Sequence, residues 1–229
     1  MRILSAIIIA ICLAAPFEAS ARTTLKSGDT ARSCRHAATE AERRHRIPAG
    51  LLNAIGLVES GRTLPGSKAR TSWPWTIHAE GKGYWLDSRQ EAVALVESLQ
   101  ERGVENIDVG CFQVNLMHHP DAFADLEAAF TPAVNAGYAA SFLSDLFQET
   151  KSWTRAASFY HSRTPERGQR YKKLVLAAWN GQASSARQAV RADVQARTGR
   201  NYSARRNLRV NRSTVYIQTG RNSIRIKRY

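Results

Sequence analysis

Apolar residues recur at three- and four-residue intervals through most of the chain between Asp29 and Gly181, and each run carries its own start or stop signal. Asp29 or Thr30 opens a first helix with the stripe Cys34, Ala37, Ala38 and Ala41, ending before Ile47-Pro48. Pro48 suits the first turn of a second helix, PAGLLNAIGLVESG, for which Gly61 is the stop. Ser88 and Glu91 form a capping box ahead of Ala92, Leu95, Val96 and Leu99, with Gly103 as the stop. Thr131-Pro132 opens a helix with Val134, Tyr138, Phe142 and Leu146 at i+4 steps, and Trp153, Ala156, Ala157 and Tyr160 mark another. A last helix has Tyr171, Leu174, Val175 and Ala178 on one side and Gly181 as its cap. Only Ser72 to Asp87 breaks the pattern: Trp73, Trp75, Tyr84 and Trp85 flank the turn-forming Gly81-Lys82-Gly83, which predicts a hairpin lobe. The expected fold is mainly α, an α+β arrangement of a helical domain with one small hairpin lobe.

One residue violates the periodicity. In the second helix Leu52, Ile55 and Glu59 fall at i, i+3 and i+7, so a carboxylate stands where the stripe calls for a hydrophobe. Its place just before Gly61 also sets it against the negative end of the helix dipole. Burial and dipole both disfavour the charged form, and a glutamate kept neutral near pH 7 has what a general acid needs. The alternative at this level is a glutamate solvated at a frayed helix end.

Composition adds an address. Met1-Arg2 precede an apolar run from Ile3 to Ala15, and Ala19-Ser20-Ala21 has the small residues of a cleavage site. Residues 1–21 therefore read as a secretory signal, too short to span a bilayer comfortably, and the mature chain is expected in the periplasm from Arg22. Cleavage leaves Cys34 and Cys111 in a compartment where disulfides persist. An even pair there makes a Cys34–Cys111 bridge the expectation over two free buried thiols, worth about 3 to 4 kcal/mol. Two cysteines without a nearby histidine pair do not make a zinc site, and adjacent His118 and His119 read as a loop feature, so no metal is expected.

The formal charge of +14 is concentrated at one end. From Gln182 to Tyr229 twelve arginines and lysines face one acid, Asp193, so this stretch carries +11 and a boundary falls near Gly181. Residues 22–181 then form one domain and 182–229 a basic tail, disordered to Asn211 by composition. Val215-Tyr216-Ile217 and Ile224-Arg225-Ile226, on either side of Thr219-Gly220-Arg221-Asn222, predict a short hairpin or a strand added to a partner's sheet edge. Basic segments often bind nucleic acid, but in an exported chain the expected attraction is to peptidoglycan carboxylates or an anionic membrane surface, with a merely solvated tail as the alternative.

Four short elements occur in order: Glu59-Ser60-Gly61 after a helix, Gly110-Cys111-Phe112-Gln113-Val114-Asn115, Ser158-Phe159-Tyr160-His161, and Tyr171 in RGQRY. Together they resemble the lytic transglycosylases of the soluble-transglycosylase type, which share a lysozyme-like fold, over roughly Cys34 to Asn180. The resemblance looks closest to small members that accompany envelope-spanning secretion or flagellar assemblies. Two departures stand out. Where the family has Gly-Leu-Met-Gln this chain has Gly110-Cys111-Phe112-Gln113, and where it has Ala-Tyr-Asn this chain has Phe159-Tyr160-His161, an imidazole whose charge varies with pH and which favours an acidic optimum.

The resemblance implies a monomeric, cofactor-free enzyme acting on peptidoglycan glycan strands. Glu59 would protonate the oxygen between N-acetylmuramic acid and N-acetylglucosamine, then take the proton of the muramyl C6 hydroxyl as it closes onto C1. Ser60, Gln113, Asn115, Tyr160, His161 and Tyr171 would position the sugar, and exposed aromatics of the hairpin lobe would stack on its rings. Asp87 and Asp108 read as structural, the first beside the Ser88 cap and the second in a turn beside Gly110. A hydrolytic muramidase on the same fold and a non-catalytic envelope-binding assembly protein are the competing expectations.

Overall fold

The computed structural model describes residues 27–182 and two further strands, Val215–Thr219 and Asn222–Ile226. The expected signal segment and the tail's arginine-rich stretch, expected to be disordered, lie outside the described residues. The seven helices and six strands of 27–182 run α1 (Ser27–His45), α2 (Leu51–Glu59), β1 (Gly61–Thr63), β2 (Arg70–Ser72), β3 (Thr76–Ala79), β4 (Lys82–Trp85), α3 (Arg89–Glu101), β5 (Ile107–Val109), β6 (Val114–Asn115), α4 (Leu126–Ala129), α5 (Pro132–Thr150), α6 (Trp153–His161) and α7 (165–182). This is a mainly α, α+β fold. Among the described residues no helix is long and apolar enough to cross a membrane.

Two hydrophobic cores divide the molecule into lobes. Cys34, Ala38 and Ala41 of α1, Leu52 and Ile55 of α2, Ala139 and Leu143 of α5, Ala157 of α6 and Val175 of α7 close one, a helical core whose many alanines let the helices approach closely. The other packs Val96 and Leu99 of α3 and Phe130 against Ile77, Ile107 and Val109 of an antiparallel sheet ordered β4-β3-β5-β6. The capping box forms at α3, where the Ser88 hydroxyl accepts from the Glu91 amide at 3.2 Å. The hairpin lobe forms too, but its turn is Glu80-Gly81, both at positive φ (52° and 75°), one residue earlier than the Gly81-Lys82-Gly83 signal suggests. Trp73 is buried edge-on to Trp75, 5.7 Å between centroids, while Trp85 stays 45% exposed.

Three helices differ from expectation for identifiable reasons. α2 starts at Leu51, not Pro48, because the chain first turns through Gly50 at φ 84°. The buried Glu42 of α1 then caps that start, accepting from the amides of Gly50 at 2.8 Å and Asn53 at 3.0 Å. In α5 the buried face is Ala136, Ala139, Ala140 and Leu143, which leaves Val134 42% exposed and puts Tyr138 and Phe142, both partly buried, on the cleft wall. α7 continues through Gly181, held by the Trp179 indole donating to the Ala49 carbonyl at 2.8 Å.

The Cys34–Cys111 disulfide is formed, with Cα atoms 5.7 Å apart and the cysteines 77 positions apart in sequence. It joins α1 to the turn between β5 and β6, and so fixes the sheet lobe to the helical one. In the tail β7 (Val215–Thr219) and β8 (Asn222–Ile226) pair antiparallel, Val215 opposite Ile226, as a hairpin.

Candidate active site

Glu59 ends α2 on the face that carries Leu52 and Ile55, both fully buried, as the stripe requires. The helix stops there because Ser60 and Gly61 leave the helical path. A side chain on Gly61 would meet the Leu57 carbonyl at 2.1 Å, so only glycine can follow Ser60 into β1. Protein encloses the Glu59 carboxyl on most sides while one face opens to a cleft. Burial pushes its pKa up to about 7, the Asp108 charge pushes the same way, and the Tyr171 hydroxyl pulls it down. A carboxylic acid half-protonated at neutral pH is therefore present at the cleft wall.

That cleft, about 370 Å³, lies between the two lobes. Glu59, Tyr138, Phe142, Tyr160 and His161 come from the helices; His78, Asp108 and Asn115 from the sheet; Gln113 from the turn between β5 and β6; His118 and His119 from the loop after β6. A second cleft, about 450 Å³, shares Glu59 and His161 with the first and continues along α7 past Val58, Arg167, Arg170, Tyr171 and Leu174. Glu59 and His161 thus stand where the two clefts adjoin as halves of one trough.

The turn Gly110 to Gln113 is built around a residue that the motif reading did not single out, Asn135. Its side-chain amide donates to the carbonyls of Val109 (3.1 Å) and Ala129 (3.0 Å), and its Oδ1 accepts from the Phe112 amide at 3.0 Å. Gly110 sits at φ 83°, and a Cβ there would lie 2.4 Å from Asn135 Nδ2. The signal was available: an asparagine four residues before Ala139 in the α5 stripe violates the pattern much as Glu59 does. Gln113, at φ 47°, spends its Nε2 on the carbonyls of Thr76 and Gly110, both at 3.0 Å, and keeps its Oε1 for the cleft.

The expected sugar-positioning residues separate into two groups. Gln113, Tyr160, His161 and Tyr171 gather around Glu59. Tyr160 donates to the Phe112 carbonyl at 2.9 Å, so it also braces the turn. His161 stacks on Tyr171 with ring centroids 4.6 Å apart and planes 6° from parallel, one ring face covered and the other open. Tyr171 is 4% exposed, and its buried hydroxyl has no partner at full hydrogen-bond geometry. It nonetheless lies near enough to Glu59 for the carboxylate, after burial, to push its pKa well above the usual phenol value.

Ser60 and Asn115 do not join that group as ligands. Ser60 is fully buried and does not line either cleft; its hydroxyl donates to the carbonyls of Gly56 (3.1 Å) and Cys111 (2.7 Å) and accepts from the Trp73 amide. Asn115 lines the cleft, but its Nδ2 donates to Asn106 (2.6 Å) and Asp108 (2.7 Å) and its Oδ1 accepts from the His118 amide. The amide is thus engaged in holding Asp108. That aspartate, read as structural from its turn, faces the cleft with its other oxygen 3.5 Å from His78 Nδ1.

Two of the cleft histidines, His161 and His119, are held below the ordinary imidazole range. Burial lowers the pKa of His161, Arg167 lowers it further, and Asp108 opposes both. His119, also lowered by burial, meets the Tyr138 hydroxyl at 2.8 Å through Nδ1. An acidic optimum is therefore to be sought in Glu59 rather than in His161. No protein-family model, curated protein or solved structure matches the chain.

Proposed function

We propose that the chain is a peptidoglycan lytic transglycosylase on a lysozyme-like fold, exported to the periplasm, cleaving the β-1,4 bond between N-acetylmuramic acid and N-acetylglucosamine. The observation that carries this reading is Glu59, a carboxyl with a pKa of about 7 on the wall shared by two adjoining clefts. The four motif elements converge on it, and the apolar leader and the disulfide fit an exported enzyme.

Chemistry follows from the single acid. Protonated Glu59 gives its proton to the glycosidic oxygen as the C1–O bond breaks, and positive charge develops at C1 of the muramyl sugar. The Asp108 carboxylate on the sheet side stabilises that charge across the cleft. Glu59, now ionised, takes the proton of the C6 hydroxyl while its oxygen bonds to C1. The product is a 1,6-anhydro sugar, the acid is regenerated, and no water is consumed.

A second reading has one observation in its favour. With Asp108 facing the same cleft, the site holds two carboxyl groups of unlike environment, the arrangement by which glycosidases hydrolyse with water. Mass spectrometry of digested peptidoglycan separates the two, since the anhydro product is one water lighter than the hydrolytic one. Loss of all cleavage in Glu59→Gln, with strand binding retained, is expected in either case. Equal cleavage by Glu59→Gln and wild type would end both. Service to a secretion or flagellar assembly belongs to the same proposal and rests on the sequence resemblance.

A further inference from the structure

The two halves of the trough differ in charge, and on the α7 half the difference comes from two arginines that the catalytic step leaves unused. On the α5 and sheet side Asp108 is the fixed charge and no lysine or arginine lines the wall. On the α7 side Arg167 and Arg170 line the wall and Glu59 is the sole acid. Arg167 and Arg170 are spaced i, i+3 on one helix, where like charges repel, and neither has an acidic partner among the described residues. Two unpaired guanidiniums on the wall of one concavity make a receptor for an anion of the carboxylate kind.

We propose that the α7 half of the trough is the subsite for a muramyl-side carboxylate, contributed by the peptide stem and held by Arg167 and Arg170. The inference rests on the peptidoglycan reading and adds an orientation to it: the stem-bearing face of the strand is drawn toward α7 and repelled by Asp108. Leu174, 55% exposed at the same wall, offers an apolar contact for a stem methyl group.

The test compares kcat/KM of the full mature protein on native strands, on strands whose carboxyls have been amidated, and on strands stripped of their stems, which keep only the lactyl carboxylate. Wild type is expected to prefer native over amidated strands roughly three- to tenfold, the range for two solvent-exposed ion pairs. The double variant Arg167→Ala/Arg170→Ala brings that ratio close to one, and Arg167→Glu/Arg170→Glu inverts it. Stripped strands should behave like amidated ones; if they behave like native strands, the stem assignment is overturned in favour of the lactyl group. An unchanged native-to-amidated ratio in both arginine variants overturns the proposal while leaving the enzyme reading intact. No cleavage of any strand by wild type sinks the enzyme reading and this proposal together, a result distinct from all the others.

Discussion

The hydroxyl of Ser60 donates to the carbonyl of Cys111 at 2.7 Å, so the residue after Glu59 is bonded to the residue that carries both the disulfide and the Gly110-to-Gln113 turn. One buried atom thereby sets the distance between the helix that ends in the acid and the turn that faces it. A motif position next to a candidate catalytic residue is easily read as a ligand; here its chemistry is spent inside the protein.

Ser60→Ala is accordingly a stability variant. It leaves the Cys111 carbonyl and the Trp73 amide without their partner, at a cost of about 1–3 kcal/mol. Urea unfolding should show that loss, while KM for glycan strands stays within about twofold of wild type. A raised KM at unchanged stability would return Ser60 to the substrate-binding set.

Through Glu59, stability and activity both decline as pH rises. Its folded pKa, about 7, exceeds the ordinary 4.5, so the folded state holds more protons than the unfolded one between those values. Stability therefore falls as pH rises through that window, by about 3 kcal/mol at most, and the penalty is constant above it. Glu59→Gln should unfold at higher denaturant than wild type at pH 8 and lose that advantage below pH 4.5. Activity follows the same group: kcat/KM should be high below pH 7 and decline above it, as the acid is lost.

The neighbours of Glu59 move that limb in opposite directions. Asp108→Asn removes a charge that raises the Glu59 pKa, so the alkaline limb should shift to lower pH. Tyr171→Phe removes a hydroxyl that lowers it, so the limb should shift to higher pH. pH–rate profiles of the two variants against wild type check both directions at once. Asp108→Asn also separates mechanisms: if the aspartate positions water, the variant loses hydrolytic product selectively, whereas stabilisation of charge at C1 slows formation of the anhydro product as well.

How much of this was legible in the sequence depends on whether the signal was periodic. Six of the helices announce themselves through stripes and caps, and Glu59 through its violation of a stripe. β5 and β6 did not, because three- and two-residue strands are too short for alternation to register and their pairing is set by partners distant in sequence. Asp108 was undervalued for the same reason: without β5, its side of the chain is undefined. Asn115 looked like a free amide until the paired strands brought Asp108 opposite it. The Asn135 signal was on the page, an amide in an apolar stripe, but its three bonds span segments up to 26 residues away.

The disulfide offers a prediction that involves no titration. Closing a 77-residue loop removes enough unfolded-chain entropy to stabilise the fold by about 4.5 kcal/mol. Cys34→Ala/Cys111→Ala should therefore melt roughly 10–15 °C below wild type. Wild type measured in reductant should converge toward the variant, since the same constraint is lost. The turn around Gln113 is still held by Asn135 and by the Ser60 bond to the Cys111 carbonyl, which is a backbone atom that the substitution spares. Cleavage at temperatures well below the transition should accordingly persist near the wild-type rate. A variant that melts lower yet cleaves normally assigns the bridge to stability. One that melts normally but has lost cleavage assigns it to positioning of the turn.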